Sequence, residues 1–137
     1  MAFLTAADYG TLIRSEQLDI VVSGTPAALT QAELHAQEFI ESYLRSRYDV
    51  VAIFDAVDAA RSALIVTYMV DITLYTVHAR HGRVAMPEKR IDRYDQAVEW
   101  LKAVAAGKIS PNLPLLPVED RTGGFKWGSA LKNTLSW

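Results

Sequence analysis

A mainly α fold, a compact bundle of about four to five helices with an extended C-terminal arm, is what this sequence predicts, and three observations predict it. Residues 25–48, 60–80 and 87–107 repeat apolar side chains at helical spacing. Start and stop signals punctuate these runs: Pro26 and Pro87 open two of them, and His81-Gly82 and Gly107 close two. Beyond Gly107 the pattern ends, and "ISPNLPLLPVED" carries three prolines at a spacing that forbids a helix or a central strand and favours a stiff, extended path. The chain therefore divides into a helical bundle, 1–108, and a proline-stiffened docking arm, 109–137.

Element by element, Thr5 followed by Asp8 resembles a capping box opening a short helix through Ile13. Ser15 can cap a second, carrying Leu18, Ile20 and Val21 as far as Gly24. In the third, Thr25 is the cap and Pro26 the first helical residue. Leu29, Ala36, Phe39, Ile40, Tyr43 and Leu44 then form its apolar face, and a Glu41 to Arg45 pair lies on the other. Asp49 and Val50 bend the chain, and Ile53, Phe54 and Val57 read as a packed turn. Ala60 to Arg80 could be two strands or a buried helix. Its length without Gly or Pro, with Leu64, Tyr68, Met69, Ile72, Tyr75 and Ala79 in register, favours a central helix despite its β-branched residues. The last helix starts at Pro87 and runs its stripe through Ile91, Tyr94, Ala97, Val98, Leu101 and Val104.

At 137 residues, half of them apolar, the chain is long enough for one core. It has no cysteine, which excludes disulfides and thiolate metal sites. The opening MAFLTAADYG lacks a basic, then apolar, leader pattern, and no run approaches a membrane span, so a soluble, unprocessed protein is expected. The net charge of -2 argues against a dedicated polyanion binder. Residues 1–60 hold three arginines against nine carboxylates, a net -6, whereas 61–137 hold eleven basic residues against seven acidic, a net +4. Such asymmetry can orient copies head to tail, although a solvated, unevenly charged surface is the commoner explanation.

Catalytic and metal signals are weak. His78 and His81, as H-x-x-H on a helix, could offer two imidazoles to zinc if carboxylates converged, but helix-end histidines are favoured by the helix dipole anyway. His35 falls on a charged helix face. Asp71, within the most apolar stretch, is either a tuned acid or base or, by the simpler account, the partner of an arginine or a helix cap. No triad order, phosphate loop or paired-carboxylate motif occurs, so no enzyme activity, cofactor or metal is expected. A DNA-binding module would use Arg83, Lys89, Arg90 and Arg93 on phosphates, yet Glu88, Asp92 and Asp95 dilute the cluster, and a solvated face of mixed charge accounts for it. Arg90 and Arg93, with Glu38 and Glu41 on the third helix, are candidate inter-subunit contacts.

The segment "RTGGFKWGSALKNTLSW", 121–137, carries Phe125, Trp127 and Trp137 among Lys126 and Lys132. Burying those three rings contributes less than ordering 17 backbones costs, so they cannot by themselves hold the segment on its own domain. Leu131 and Leu135, behind a Ser129 cap, suggest a short amphipathic helix in search of a groove, with Gly123, Gly124 and Gly128 as hinges.

"FLTAADY", "ESYLRSRYDV", "IFDA", "DITLYTVHAR", "PEKRIDRYDQAVEWLKAVAAGKISPNLP" and the Gly-rich, Trp-containing end together resemble the small neck-protein family of Mu-like phages and prophages. That family is related to the helical head-tail connectors of long-tailed phages. The resemblance implies a non-enzymatic virion protein of the phage neck, assembled in the host cytoplasm as a homo-oligomeric ring. The ring is expected to follow the portal's twelve-fold symmetry, to meet the stopper or tail-completion protein at its other end, and to pass genome DNA through its lumen without specific binding. It also implies that portal docking falls to Arg121, Phe125, Lys126, Trp127, Leu131, Lys132, Leu135 and Trp137, with the two tryptophans as anchors.

Overall fold

The computed structural model describes residues 3–22, 25–81 and 85–121. Six α-helices occur among them: α1 Ala6–Tyr9, α2 Ser15–Val22, α3 Pro26–Leu44, α4 Val50–Asp55, α5 Ala63–His81 and α6 Glu88–Ala105. Short 3-10 turns occupy Asp58–Ala60 and Val118–Asp120, and among the described residues the only β pairing is one antiparallel bridge between Tyr48 and Leu115. This is the helical bundle the sequence predicts, with one helix more, the six-residue α4, where a packed turn was expected.

α5 is the centre. It packs against α3, α6, α2 and α1, and α3 closes the layer against α6. Six consecutive α5 residues, Met69 to Leu74, are all buried, which no single face allows, so the helix is enclosed on all sides. The predicted stripe is therefore too narrow. Leu64 and Ala79, placed on it, are exposed at the helix ends, whereas Ile65, Val70, Leu74 and Val77 are buried. In α3 a row of Ala28, Ala32, Ala36, Ile40 and Leu44 at four-residue spacing faces the core, the small alanines letting α5 approach closely.

Local signals act as read in several places. Asp8 accepts the Thr5 amide at 2.6 Å, although regular helix stops at Tyr9 and turns carry the chain to Ile13. Gly107 ends α6 with φ +80, a left-handed conformation that suits a residue without Cβ. Ser15 is the first residue of α2 rather than its cap, and Glu41 accepts from Gln37 Nε2 at 3.0 Å instead of pairing with Arg45. The expected turn at 50–57 contains a true helix, α4: the Asp49 carboxylate accepts the Ala52 amide at 3.1 Å, and Ile53 and Phe54 are buried while Val57 is exposed. Phe54 stands edge-on to Phe3 with centroids 5.0 Å apart.

Candidate docking surface

The proline-rich segment is not a free arm throughout. After Gly107 it returns along the turn between α3 and α4. There the Asp49 amide donates to Pro114 O at 2.9 Å and the Leu116 amide to Arg47 O at 3.0 Å, the two rungs flanking the Tyr48–Leu115 bridge. Tyr48 is buried beneath it and Leu113 packs on the core. Five residues later Arg121 turns back, its Nε donating to Leu116 O at 2.8 Å. The chain thus leaves the described structure from a point fixed against α3 and α4. The surface here is apolar beyond what folding requires: Val51 is 66% exposed, Leu115 51% and Val118 72%.

Beside this anchor lies an open groove of about 400 Å³ between α4, the start of α5 and residues 111–114. Ala52, Ala56, Ala60 and Ala63 make its floor roomy, and Leu64 and Pro114 wall it. Asp55 and Asp58 stand exposed at the α4–α5 connection, Asp58 with φ +52. The neighbouring cation, Arg61, is already engaged. It holds Asp8 through two bonds of 2.7 and 3.1 Å, donates to Phe3 O at 2.9 Å and to Asp58 O at 3.1 Å, and lies 5.6 Å from the Phe3 ring centroid. The Arg61 guanidinium holds the Asp8 carboxyl below its ordinary range. Nothing in the sequence analysis singled out Arg61. It lines the groove and clips the N-terminal residues to the head of α5.

The other candidate residues turn inward. Asp71, on the buried α5, accepts from Arg93 Nε at 2.8 Å, which is the arginine pairing expected as the simpler account; burial nonetheless pushes the Asp71 carboxyl up, against the pull of Arg93. Arg90 is buried as well, with Nη2 3.4 Å from Leu12 O and an Nε that finds no partner among the described residues. The reading of Arg90 and Arg93 as part of a solvated charged face is thus corrected. They lie on the side of α6 that faces α5, where Asp71 attracts them. The charged residues that α6 leaves exposed are Glu88, Lys89, Asp92, Asp95, Glu99 and Lys102, beside Ile91 of the expected apolar stripe, so the basic excess of the second half is not a basic surface on this helix.

Glu38 is exposed and Glu41 half-buried on α3. His78 is buried, its Nδ1 donating to Leu74 O at 3.0 Å, and burial holds its pKa below the ordinary value. No three potential metal ligands converge among the described residues, and no described helix is long and apolar enough to cross a membrane. Tyr9, under α3, donates to Glu33, a half-buried polar contact the sequence did not announce. Of the expected docking residues only Arg121 is described; Phe125, Lys126, Trp127, Leu131, Lys132, Leu135 and Trp137, like Arg83, lie outside the described residues.

A family model described as Bacteriophage Mu, Gp36 matches residues 3–126, nearly the whole chain. Neither a search of curated proteins nor one of solved structures finds a match.

Proposed function

This chain belongs to the bacteriophage Mu Gp36 family, and from that premise we propose that it is a structural subunit of the phage particle, a head-tail connector. In this reading copies form a ring, expected to be twelve-fold, below the portal and join it to the tail or stopper protein. The segment from Arg121 to Trp137 is the element the portal clasps, with Trp127 and Trp137 as anchors. The subunit works by binding rather than by catalysis, without cofactor, and genome DNA passes the ring without specific contacts.

The observation that carries the reading is the anchorage of residues 113–116 to Arg47 and Asp49. A self-sufficient bundle holds the base of the proline-rich segment with two backbone hydrogen bonds, so the aromatic and basic residues that follow are presented from a fixed origin. Aromatic residues with neighbouring cations are the usual anchors of protein interfaces. A ring also places many such segments side by side, which lets individually modest contacts add up. With Arg90 and Arg93 engaged inside the chain, subunit contacts draw on the exposed α6 charges and on Glu38 and Glu41.

Truncation after Arg121 tests the reading. The bundle should keep its helical circular dichroism while co-sedimentation with portal rings is lost; a truncated chain that still sediments with portal removes the segment from the account. The particle mass of the intact protein, with and without portal, checks ring formation separately.

A further inference from the structure

We propose that before assembly the groove between α4, the head of α5 and residues 111–114 holds residues 125–127 of the same chain, Phe-Lys-Trp, so that the docking segment is parked on its own bundle. The contact does not depend on the connector reading; only its consequence, that a partner must displace the segment, rests on it.

Three observations select this occupant. The first is reach. Arg121 is tied to Leu116, two residues from the groove wall at Pro114. An extended chain covers roughly 3.3–3.6 Å per residue, so four residues from Arg121 bring Phe125 about 13–14 Å, enough to come back over that wall. The second is shape. Four alanines line about 400 Å³ of space, which suits large flat side chains better than more of the chain's own aliphatics. The third is charge. Asp55 and Asp58 are exposed at the α4–α5 connection and Glu119 and Asp120 on the returning segment, while Arg61 is held by Asp8. Residues 122–137 contain two lysines and no carboxylate. Only the stretch up to Trp127 needs ordering here, far less than the whole segment, so the contact is weak enough to give way to a partner that takes all of it.

The absence of cysteine makes the test clean. Ala56→Cys with Gly128→Cys in the full chain places one thiol in the groove and one beside Trp127, leaving all three proposed contact residues intact. Leu34→Cys with Gly128→Cys is the control, exposed on α3 about 15 Å before its end. Under mild oxidation at low protein concentration, the groove pair should close within one chain roughly tenfold or more faster than the control, as a seated segment raises the effective thiol concentration. Adding Asp55→Lys and Asp58→Lys should slow it. Equal rates for the two pairs overturn the proposal, and so does a disulfide-linked dimer as the main product, which would assign the groove to a second copy. Portal sedimentation is scored apart: a truncated chain that still sediments with portal strikes the connector reading and leaves the cross-link standing, whereas equal cross-linking rates strike the parked segment and leave the connector reading standing.

Discussion

α5 and residues 109–121 are the two extremes of this molecule. The helix is enclosed by four other helices and holds its place by burial from every direction, whereas the proline-rich segment is mostly exposed and keeps its course through a few backbone hydrogen bonds. In the first arrangement every buried side chain is close-packed against its neighbours, so a change in any one of them is felt. The second is specified by register, and Leu115 and Val118 on it stay exposed. Stability and exposed apolar surface are thus carried by different residues.

The deepest cut is on the helix side. Leu74 is fully buried at the centre of α5. Leu74→Ala removes its packing and leaves a cavity the surrounding helices fill only in part, so thermal or denaturant unfolding should show a loss of about 2–5 kcal/mol. A loss near zero would mean that α5 is not the core the geometry makes it.

Next in size is the polar seam within that core. Asp71→Asn keeps the shape but leaves Arg93 without its carboxylate and Arg90 without the charge that offsets its burial. Because the Arg93 side chain is 32% exposed it can turn to water, so the expected loss is about 1–3 kcal/mol rather than that of a sealed pair. Replacing both partners, Asp71→Leu with Arg93→Met, should recover much of it in the same unfolding measurement. A double variant no better than Asp71→Asn would show that the pair also positions something else.

Between the two regions sits the Arg61 clip, and its signature is acid sensitivity. The Asp8 carboxyl is held below its ordinary value of 3.8 in the folded chain. Its contribution is therefore fully present above pH 3.8 and lost as pH falls from there through the lowered folded value. Arg61→Met should flatten that acid limb in a comparison of melting temperatures across pH. An unchanged limb would place the acid sensitivity elsewhere.

What the sequence made legible follows the same division. Long helices announce themselves because the same period repeats over four or five turns, and α3, α5 and α6 were readable for that reason. α4 was read as a turn since six residues give no period; its cap, Asp49, and the burial of Ile53 and Phe54 are set by what lies beneath. Arg90 and Arg93 looked like surface because charges usually are. Only the placement of Asp71 across the helix interface turns them inward, and an apolar stretch with one carboxylate was the signal available. The course of residues 113–116 was unreadable for another reason: backbone hydrogen bonds fix it, and backbones carry no sequence.

The smallest effect is the most informative about this contrast. Leu115 and Val118 are 51% and 72% exposed on the anchored segment, so Leu115→Ser with Val118→Ser removes little that folding buried. Away from caps, cores and networks such changes stay within about 0.5 kcal/mol, and the unfolding curve should overlay that of the unchanged chain. The backbone rungs at Asp49 and Leu116 use no side chain and should survive, which slow amide exchange at those two positions would report. If the apolar surface beside the anchor belongs to the interface, portal sedimentation should nevertheless weaken, because two desolvated aliphatic side chains have become hydroxyls. A marked loss of stability instead would mean that these side chains help hold the segment on the bundle, and the separation between the part that folds and the part that binds would have to be redrawn on the far side of Arg121.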